Sequence, residues 1–222
     1  MKKHLFIVDF LIFLLITIFF ILPPLFLGAG NYETSPFTSW KMPLGQIILS
    51  LFFLLFYFFY IKEEIAQTKA YLLIFNSLFL FSSLFFISLI FQIISIFFQS
   101  GQSSLAVQKP HGPFELINCI FLFLSGAVYE ELLYRLYFPH SLILLFSRIK
   151  VKKEKTALIF IILAESLSAL VFSLAHLYEG YLSVFNAFIA HLILRYAYKK
   201  THNIWCNISA HFLYNLLVLF IF

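Results

Sequence analysis

The sequence predicts an all-α membrane protein, a polytopic bundle of about seven transmembrane helices with a cytoplasmic N-terminus. Three observations predict this fold. The 222-residue chain is 62% hydrophobic, 21% aromatic and only 11% charged, whereas soluble domains carry about 25% charged residues. Apolar runs of about 20 residues recur along the chain, and each is long enough to cross the hydrocarbon core as a helix. The runs are also too long and too uniformly apolar for the alternating strands of a barrel.

The predicted apolar segments are residues 5–27, 44–61, 71–98, 114–138, 157–178, 182–198 and 203–222. The first follows Lys2 and Lys3. It exceeds the apolar core of a cleaved signal peptide, which is about 7–15 residues, so we expect a retained signal anchor. Pro139 lacks a backbone N–H and should break or kink the helix before it. Residues 139–148 are then expected to form a short interfacial helix, and an eight-segment count stays open.

The distribution of Lys and Arg predicts the orientation. With the N-terminus inside, Lys41 and Lys109 lie on the outer side and Arg135 lies within the membrane. The other positions are cytoplasmic, namely Lys2, Lys3, Lys62, Lys69, Arg148, Lys150, Lys152, Lys153, Lys155, Arg195, Lys199 and Lys200. This asymmetry follows the positive-inside rule.

The net charge of +5 therefore indicates membrane orientation. No basic patch with interleaved aromatic residues lies on a polar segment, so no nucleic-acid partner is expected. Cys119 and Cys206 have neither a disulfide nor a metal-site spacing, and we expect them to be packing residues.

The stretch AVYEELLYR, residues 127–135, places charges inside an apolar segment. An ionisable residue at the centre of a spanning helix costs at least about 2.5–3.5 kcal/mol, so the cluster predicts a functional site. Glu131 and Arg135 are four residues apart and can pair on one helix face. Glu130 is rotated by about 100° from Glu131 and lacks this partner, which makes it the candidate general base. A purely structural polar network remains the alternative interpretation.

Two later stretches carry further polar pairs at helical spacing. FSLAH contains Phe172 and His176, and HFLYN contains His211 and Asn215, each pair four residues apart on one face of its helix. If these helices meet the glutamates, the site holds a carboxylate, imidazoles and an amide. Such a set can activate a water molecule and stabilise an oxyanion.

The sixth segment also holds polar residues, to which the sequence assigns no catalytic role. His191 is interpreted as a packing residue, and Arg195 as a marker of the cytoplasmic end of its segment. In the fifth segment, Glu165 and Ser166 suggest a water-filled vestibule open to the cytoplasm.

The order EELLYR, FSLAH, HFLYN resembles the three motifs EExxxR, FxxxH and HxxxN of the CAAX-processing and bacteriocin-processing (CPBP, or ABI) family of intramembrane proteases. The resemblance covers about residues 114–218 and implies a glutamic-type, metal-independent peptidase without a cofactor. It implies that Glu130 activates the water, that His176 assists or orients it, and that His211 and Asn215 form the oxyanion hole.

The resemblance also implies supporting roles for Glu131, Arg135 and Phe172. It divides the chain into N-terminal transmembrane helices at residues 1–113 and a CPBP-like catalytic core at residues 114–222. The expected partners are the lipid bilayer and a membrane-associated protein or peptide substrate. The expected location is a prokaryotic cell membrane, as a multi-pass protein.

Three alternatives stay open. Glu130, His176 and His211 could make a zinc site of the His₂Glu type, although no HExxH stretch is present. The same fold could serve as a non-catalytic immunity or scaffold protein. A transporter is the third possibility, since intramembrane charges also line ion pathways, but the internal repeats typical of transporters are missing from the sequence.

Overall fold

The computed structural model describes residues 10–26, 36–56, 58, 69–98, 109–149 and 154–221. The described residues contain no strand, which confirms the all-α prediction. The helices are α1 (Phe10–Ile21, prolonged by Leu22–Phe26), α2 (Lys41–Phe56), α3 (Ala70–Phe98), α4 (Gly112–Glu131), α5 (Phe138–Ser147), α6 (Glu154–Leu174), α7 (Tyr181–Thr201) and α8 (Ile204–Ile221). Short 3₁₀ turns lie at Pro36–Thr38 and Leu177–Glu179.

Four of the described helices are long and apolar enough to cross a membrane: α3, the continuous helix Gly112–Ser147, α6 and α8. The helices α1 and α2 are apolar but shorter. Helix α7, the sixth predicted segment, is not among the four, because polar residues such as Asn186, His191 and Arg195 lower its hydropathy. The four long helices are apolar, and large aromatic side chains such as Phe79 on α3 are exposed on the outside of the bundle. Both features are typical of a helical bundle in a membrane.

Some predictions concern residues outside the described ranges. They include the start of the predicted signal anchor and six of the cations used for orientation: Lys2, Lys3, Lys62, Lys150, Lys152 and Lys153. The cytoplasmic N-terminus therefore stays a prediction.

The expected break at Pro139 takes the form of a π-helical segment, Leu132–Tyr137, which joins α4 to α5. The backbone N–H of Phe138 donates to the carbonyl of Leu133, five residues back. The short helix predicted at residues 139–148 is present as α5, but it follows the fourth segment without an interruption, so the helix does not end at residue 138. The helix can accommodate Pro139 because the wider π-turn before it relieves the clash between the proline ring and the carbonyl four residues back that a regular α-turn would impose.

The π-helical segment lies at the centre of the bundle. It contacts α2, α6 and α7, while α8 packs against α4 and α3. Every residue from Glu131 to Pro139 is buried. Cys119 and Cys206 are free, fully buried thiols, as expected for packing residues. Glu131 and Arg135 therefore lie in the most fully buried part of this helix.

Candidate active site

Glu131 and Arg135 form the predicted ion pair. Arg135 Nη2 lies 3.3 Å from Glu131 Oε1, and both side chains are fully buried. The pairing is confirmed even though Arg135 lies in the π-helical segment. Two fully buried opposite charges offset part of the cost of removing each from water, and loss of one partner would leave the other uncompensated.

Helix α8 supplies the remaining side-chain contacts of the Glu131 carboxylate. The side-chain amide of Asn207 donates to Glu131 Oε2 at 3.1 Å and to the carbonyl of Leu194 at 2.8 Å. His211 Nδ1 lies 3.0 Å from Glu131 Oε1. Asn207 and His211 are four residues apart, so one face of α8 presents both to α4. Asn203 fixes where α8 begins, because its side-chain oxygen accepts the N–H of Trp205 at 2.9 Å as an N-cap.

The neighbouring Glu130 has a different environment. Its side chain is 29% exposed, and its Oε2 lies 3.8 Å from His211 Nε2. That oxygen is buried and has no hydrogen-bond partner among the described residues. Adjacent positions on one helix thus give Glu131, whose two oxygens are both engaged, and Glu130, whose Oε2 has no hydrogen bond among the described residues. The predicted distinction between the two glutamates holds in the structure.

His176 lies beyond the end of its helix, which corrects the prediction that it projects from one helical face with Phe172. Helix α6 ends at Leu174, and His176 starts the turn that leads to the 3₁₀ residues and Gly180. The chain reverses here, because Gly180 adopts a positive φ of 103° that glycine tolerates. The separation of four residues still brings the rings of Phe172 and His176 to 4.8 Å, and His176 Nδ1 lies 2.9 Å from the carbonyl of Phe172.

Phe172 connects His176 to the buried charges. The Arg135 guanidinium lies over the Phe172 ring at 4.2 Å, a cation–π contact. The ring of His191 lies 5.4 Å from the same phenyl group. Direct contacts therefore join Glu130, Glu131, Arg135 and His211, whereas His176 reaches this group through Phe172.

Asn215, the last predicted site residue, lies one turn beyond His211 on α8 and is partly buried. The four-residue spacing places it on the same face as His211. Next to it, the hydroxyl of Tyr214 accepts a hydrogen bond from Asn186 at 3.1 Å, which ties this part of α8 to α7.

His191 belongs to the site, although the sequence suggested only packing. Its Nδ1 lies 2.9 Å from Arg135 Nη1, and its ring is almost fully buried. Since arginine can only donate, His191 Nδ1 accepts, and the ring proton lies on Nε2. Asn207 was missed as well. The same four-residue spacing that selected His211 with Asn215 also relates Asn207 to His211, and this signal could have found it.

Arg195 does more than mark a helix end. Its guanidinium donates to both oxygens of Glu165, each at 2.8 Å, and to the backbone carbonyl of Arg135. Lys199 Nζ lies 2.8 Å from the same carboxylate. Glu165, expected to line a vestibule, is thus the anchor of a second charged cluster on α6 and α7.

The alternative zinc set does not assemble in this structure. Among the described residues, no group of three or more His, Cys, Asp or Glu side chains is arranged to hold a metal ion, and Glu130, His176 and His211 are all described.

Comparison with known proteins gives a family for the C-terminal half. Residues 112–217 match the family model of the type II CAAX prenyl endopeptidases, Rce1-like. No curated protein and no solved structure matches the chain. The matched stretch begins with α4 and ends within α8, so it includes all the site residues described above. Residues 112–217 are therefore an Rce1-like type II CAAX prenyl endopeptidase domain, consistent with the CPBP family indicated by the three motifs.

Proposed function

We propose that this protein is a glutamic-type intramembrane endopeptidase that hydrolyses a peptide bond of a membrane-associated protein or peptide. The family supports an intramembrane endopeptidase. The observation that carries the proposed mechanism is the contrast between the adjacent glutamates: Glu131 is held by Arg135, Asn207 and His211, while Glu130 keeps an oxygen free beside His211.

The hydrogen bonds around Glu131 support a particular assignment of the proton on the His211 ring. Arg135 and Asn207 can only donate through the atoms that contact Glu131, which suits an ionised carboxylate. An ionised carboxylate can only accept, so His211 Nδ1 carries a proton and donates it to Glu131. His211 Nε2 then faces Glu130. Glu131 is too fully engaged to take a proton from water, and it serves instead to orient His211.

Glu130 is the group available to activate water. In the proposed reaction, its carboxylate removes a proton from a water molecule while the water oxygen attacks the scissile carbonyl carbon. The carbonyl oxygen becomes an oxyanion, which the Asn215 amide and a protonated His211 would stabilise. Collapse of this intermediate breaks the C–N bond, and the proton held by Glu130 passes to the leaving amine.

His176 is suited to orient the water. Its Nδ1 lies 2.9 Å from the Phe172 carbonyl, which can only accept. Nδ1 therefore carries a proton, and neutral His176 has its lone pair on Nε2. Phe172 supports this arrangement through both its carbonyl and its ring, which also contacts Arg135.

The proposal also assigns different roles to the two halves of the chain. Residues 114–222 would supply the catalytic core, and residues 1–113 would supply transmembrane helices that surround it. The packing of α2 against α4, and of α3 against α7 and α8, supports such a scaffold. A prokaryotic cell membrane is the proposed location. Metal independence is likewise part of the proposal and is tested separately below.

The decisive experiment replaces Glu130 by glutamine. Purified protein in detergent would be given a fluorescence-quenched peptide with a prenylated CAAX end, and the termini of membrane proteins would be compared between cells with wild-type and Glu130→Gln protein. We expect Glu130→Gln to abolish cleavage, because an amide cannot accept the water proton, and to unfold at the same temperature as wild type.

Glu115→Gln is the matched control. Glu115 lies in the first turn of the same helix, where it accepts the backbone N–H of His111 at 2.8 Å. A glutamine oxygen can keep this bond, so cleavage should remain. Cleavage by Glu130→Gln at the wild-type rate would overturn the proposed base. Biological activity without any cleaved substrate would favour the non-catalytic alternative.

A further inference from the structure

Pro139 removes one backbone donor from the central helix, next to two carbonyls that this donor could have reached. In α-helical geometry the N–H of residue 139 would bond to the carbonyl of Arg135, and in π-helical geometry to that of Tyr134. Proline has no N–H. Both carbonyls belong to buried residues, where an unpaired polar group is costly.

Side chains of neighbouring helices donate to each of these two carbonyls. The hydroxyl of Ser168 on α6 donates to the carbonyl of Tyr134 at 3.0 Å. The Nη1 of Arg195 on α7 donates to the carbonyl of Arg135. At these two carbonyls the π-helical segment is thus held by side chains of neighbouring helices, in addition to its own backbone hydrogen bonds.

Arg195 is itself fixed by a charged cluster. Its Nε and Nη2 form a fork to the two oxygens of Glu165, and Lys199 contacts one of those oxygens. The Arg195 side chain is only 12% exposed. The fork leaves Nη1 aimed at the Arg135 carbonyl, so a single guanidinium bridges α6, α7 and the central helix.

We propose that Arg195 is a positioning residue for the endopeptidase reaction, which it serves by capping the Arg135 carbonyl and so maintaining the π-helical geometry between Glu131 and Pro139. This inference rests on the proposed function. A π-turn contains one residue more than an α-turn. If the π-turn became an α-turn, the helix after the segment would rotate relative to the helix before it by about 100°. Glu130 and Glu131 lie at one edge of the segment and Arg135 lies inside it.

A purely stabilising ion pair between Arg195 and Glu165 is the competing explanation. The two differ in what they require of residue 195. An ion pair needs only a positive charge near Glu165. Capping needs a planar fork that engages the carboxylate and the carbonyl together, which lysine, as a single point charge, does not provide.

The first experiment compares Arg195→Gln and Arg195→Lys with Lys200→Gln, which removes an exposed cation from the same helix. Cleavage of the prenylated peptide would be measured for kcat and KM separately. We expect kcat to fall about 10- to 100-fold in both Arg195 variants, since a misplacement of about 1 Å can cost about 10²-fold. KM and the Lys200→Gln control should change little. Wild-type kcat in Arg195→Lys would overturn the proposal in favour of the ion pair.

A second arm does not depend on activity. Hydrogen exchange of the backbone amides from Leu136 to Leu145 should be faster in Arg195→Gln than in Lys200→Gln. If wild-type protein failed to cleave any peptide, the proposed function would fail, and this arm would still decide whether Arg195 holds the segment. Unchanged exchange would overturn the capping.

Pro139→Ala gives an independent check, because alanine returns an N–H that can reach the Arg135 carbonyl. If Arg195 acts by capping, Arg195→Gln should accelerate exchange less in the Pro139→Ala background than in the wild-type background. Additive effects of the two substitutions on exchange, as expected for independent sites, would contradict the proposal.

Discussion

Replacing Arg135 by alanine should strongly destabilise the protein. The substitution removes the guanidinium 3.3 Å from Glu131 Oε1, together with the donor to His191 and the cation over Phe172. Glu131 stays fully buried, with only Asn207 and His211 to compensate its charge. Most of the expected loss of stability comes from this buried carboxylate, which no longer has an oppositely charged arginine beside it.

The magnitude follows from the burial of both partners. Breaking a buried ion pair by removing one partner costs about 3–5 kcal/mol. For a chain of this length each kcal/mol lowers Tm by about 2–4 °C, so we expect a decrease of roughly 6–20 °C. The lost cation–π contact, worth about 0.5–2 kcal/mol, acts in the same direction.

The assay is thermal unfolding of purified protein in detergent, followed by intrinsic fluorescence. Lys200→Ala, which removes an exposed cation near the end of α7, should leave Tm nearly unchanged. The double variant Glu131→Gln with Arg135→Met should be more stable than Arg135→Ala, because it leaves no uncompensated charge. A Tm of Arg135→Ala within about 2 °C of wild type would refute the reasoning, as would a double variant no more stable than the single one.

Further predictions test the contacts of α8 and the need for metal. Asn207→Ala leaves the Leu194 carbonyl and Glu131 Oε2 without their shared donor and should cost about 1–3 kcal/mol; a melting curve identical to wild type would contradict the assigned hydrogen bonds. Peptide cleavage should survive exhaustive treatment with EDTA and a zinc-specific chelator, because the proposed base is Glu130. Asn215→Ala should lower kcat by about 10²–10³, as expected for removal of one oxyanion donor. Chelator-sensitive activity combined with a mild effect of Asn215→Ala would instead support zinc.

Features that depend on local geometry were predicted correctly from the sequence. The length of the apolar runs indicated a helical membrane protein, because a helix must bury about 20 apolar residues to cross the bilayer. The four-residue spacing of Glu131 and Arg135 predicted their ion pair, since such neighbours share a helix face whatever surrounds them. The motif order predicted the family of residues 112–217.

Features that depend on the rotation and ends of helices needed the tertiary structure. His191 and Asn207 join the buried charges only because α7 and α8 turn those faces towards α4. Arg195 reaches the carbonyl of Arg135 from another helix. The turn that carries His176 beyond the end of α6 was also not apparent from the spacing.

The physical reason lies in the solvent. In water, the contrast between apolar and polar faces reveals which side of a helix is buried, and the periodicity of the sequence records it. In a bilayer, residues that face lipid and residues that face other helices are both apolar, so the periodicity of the sequence hardly shows which face is buried. The sequence therefore determined which segments are helical and where the charges stand along them. The packing of the helices alone decided which charges meet.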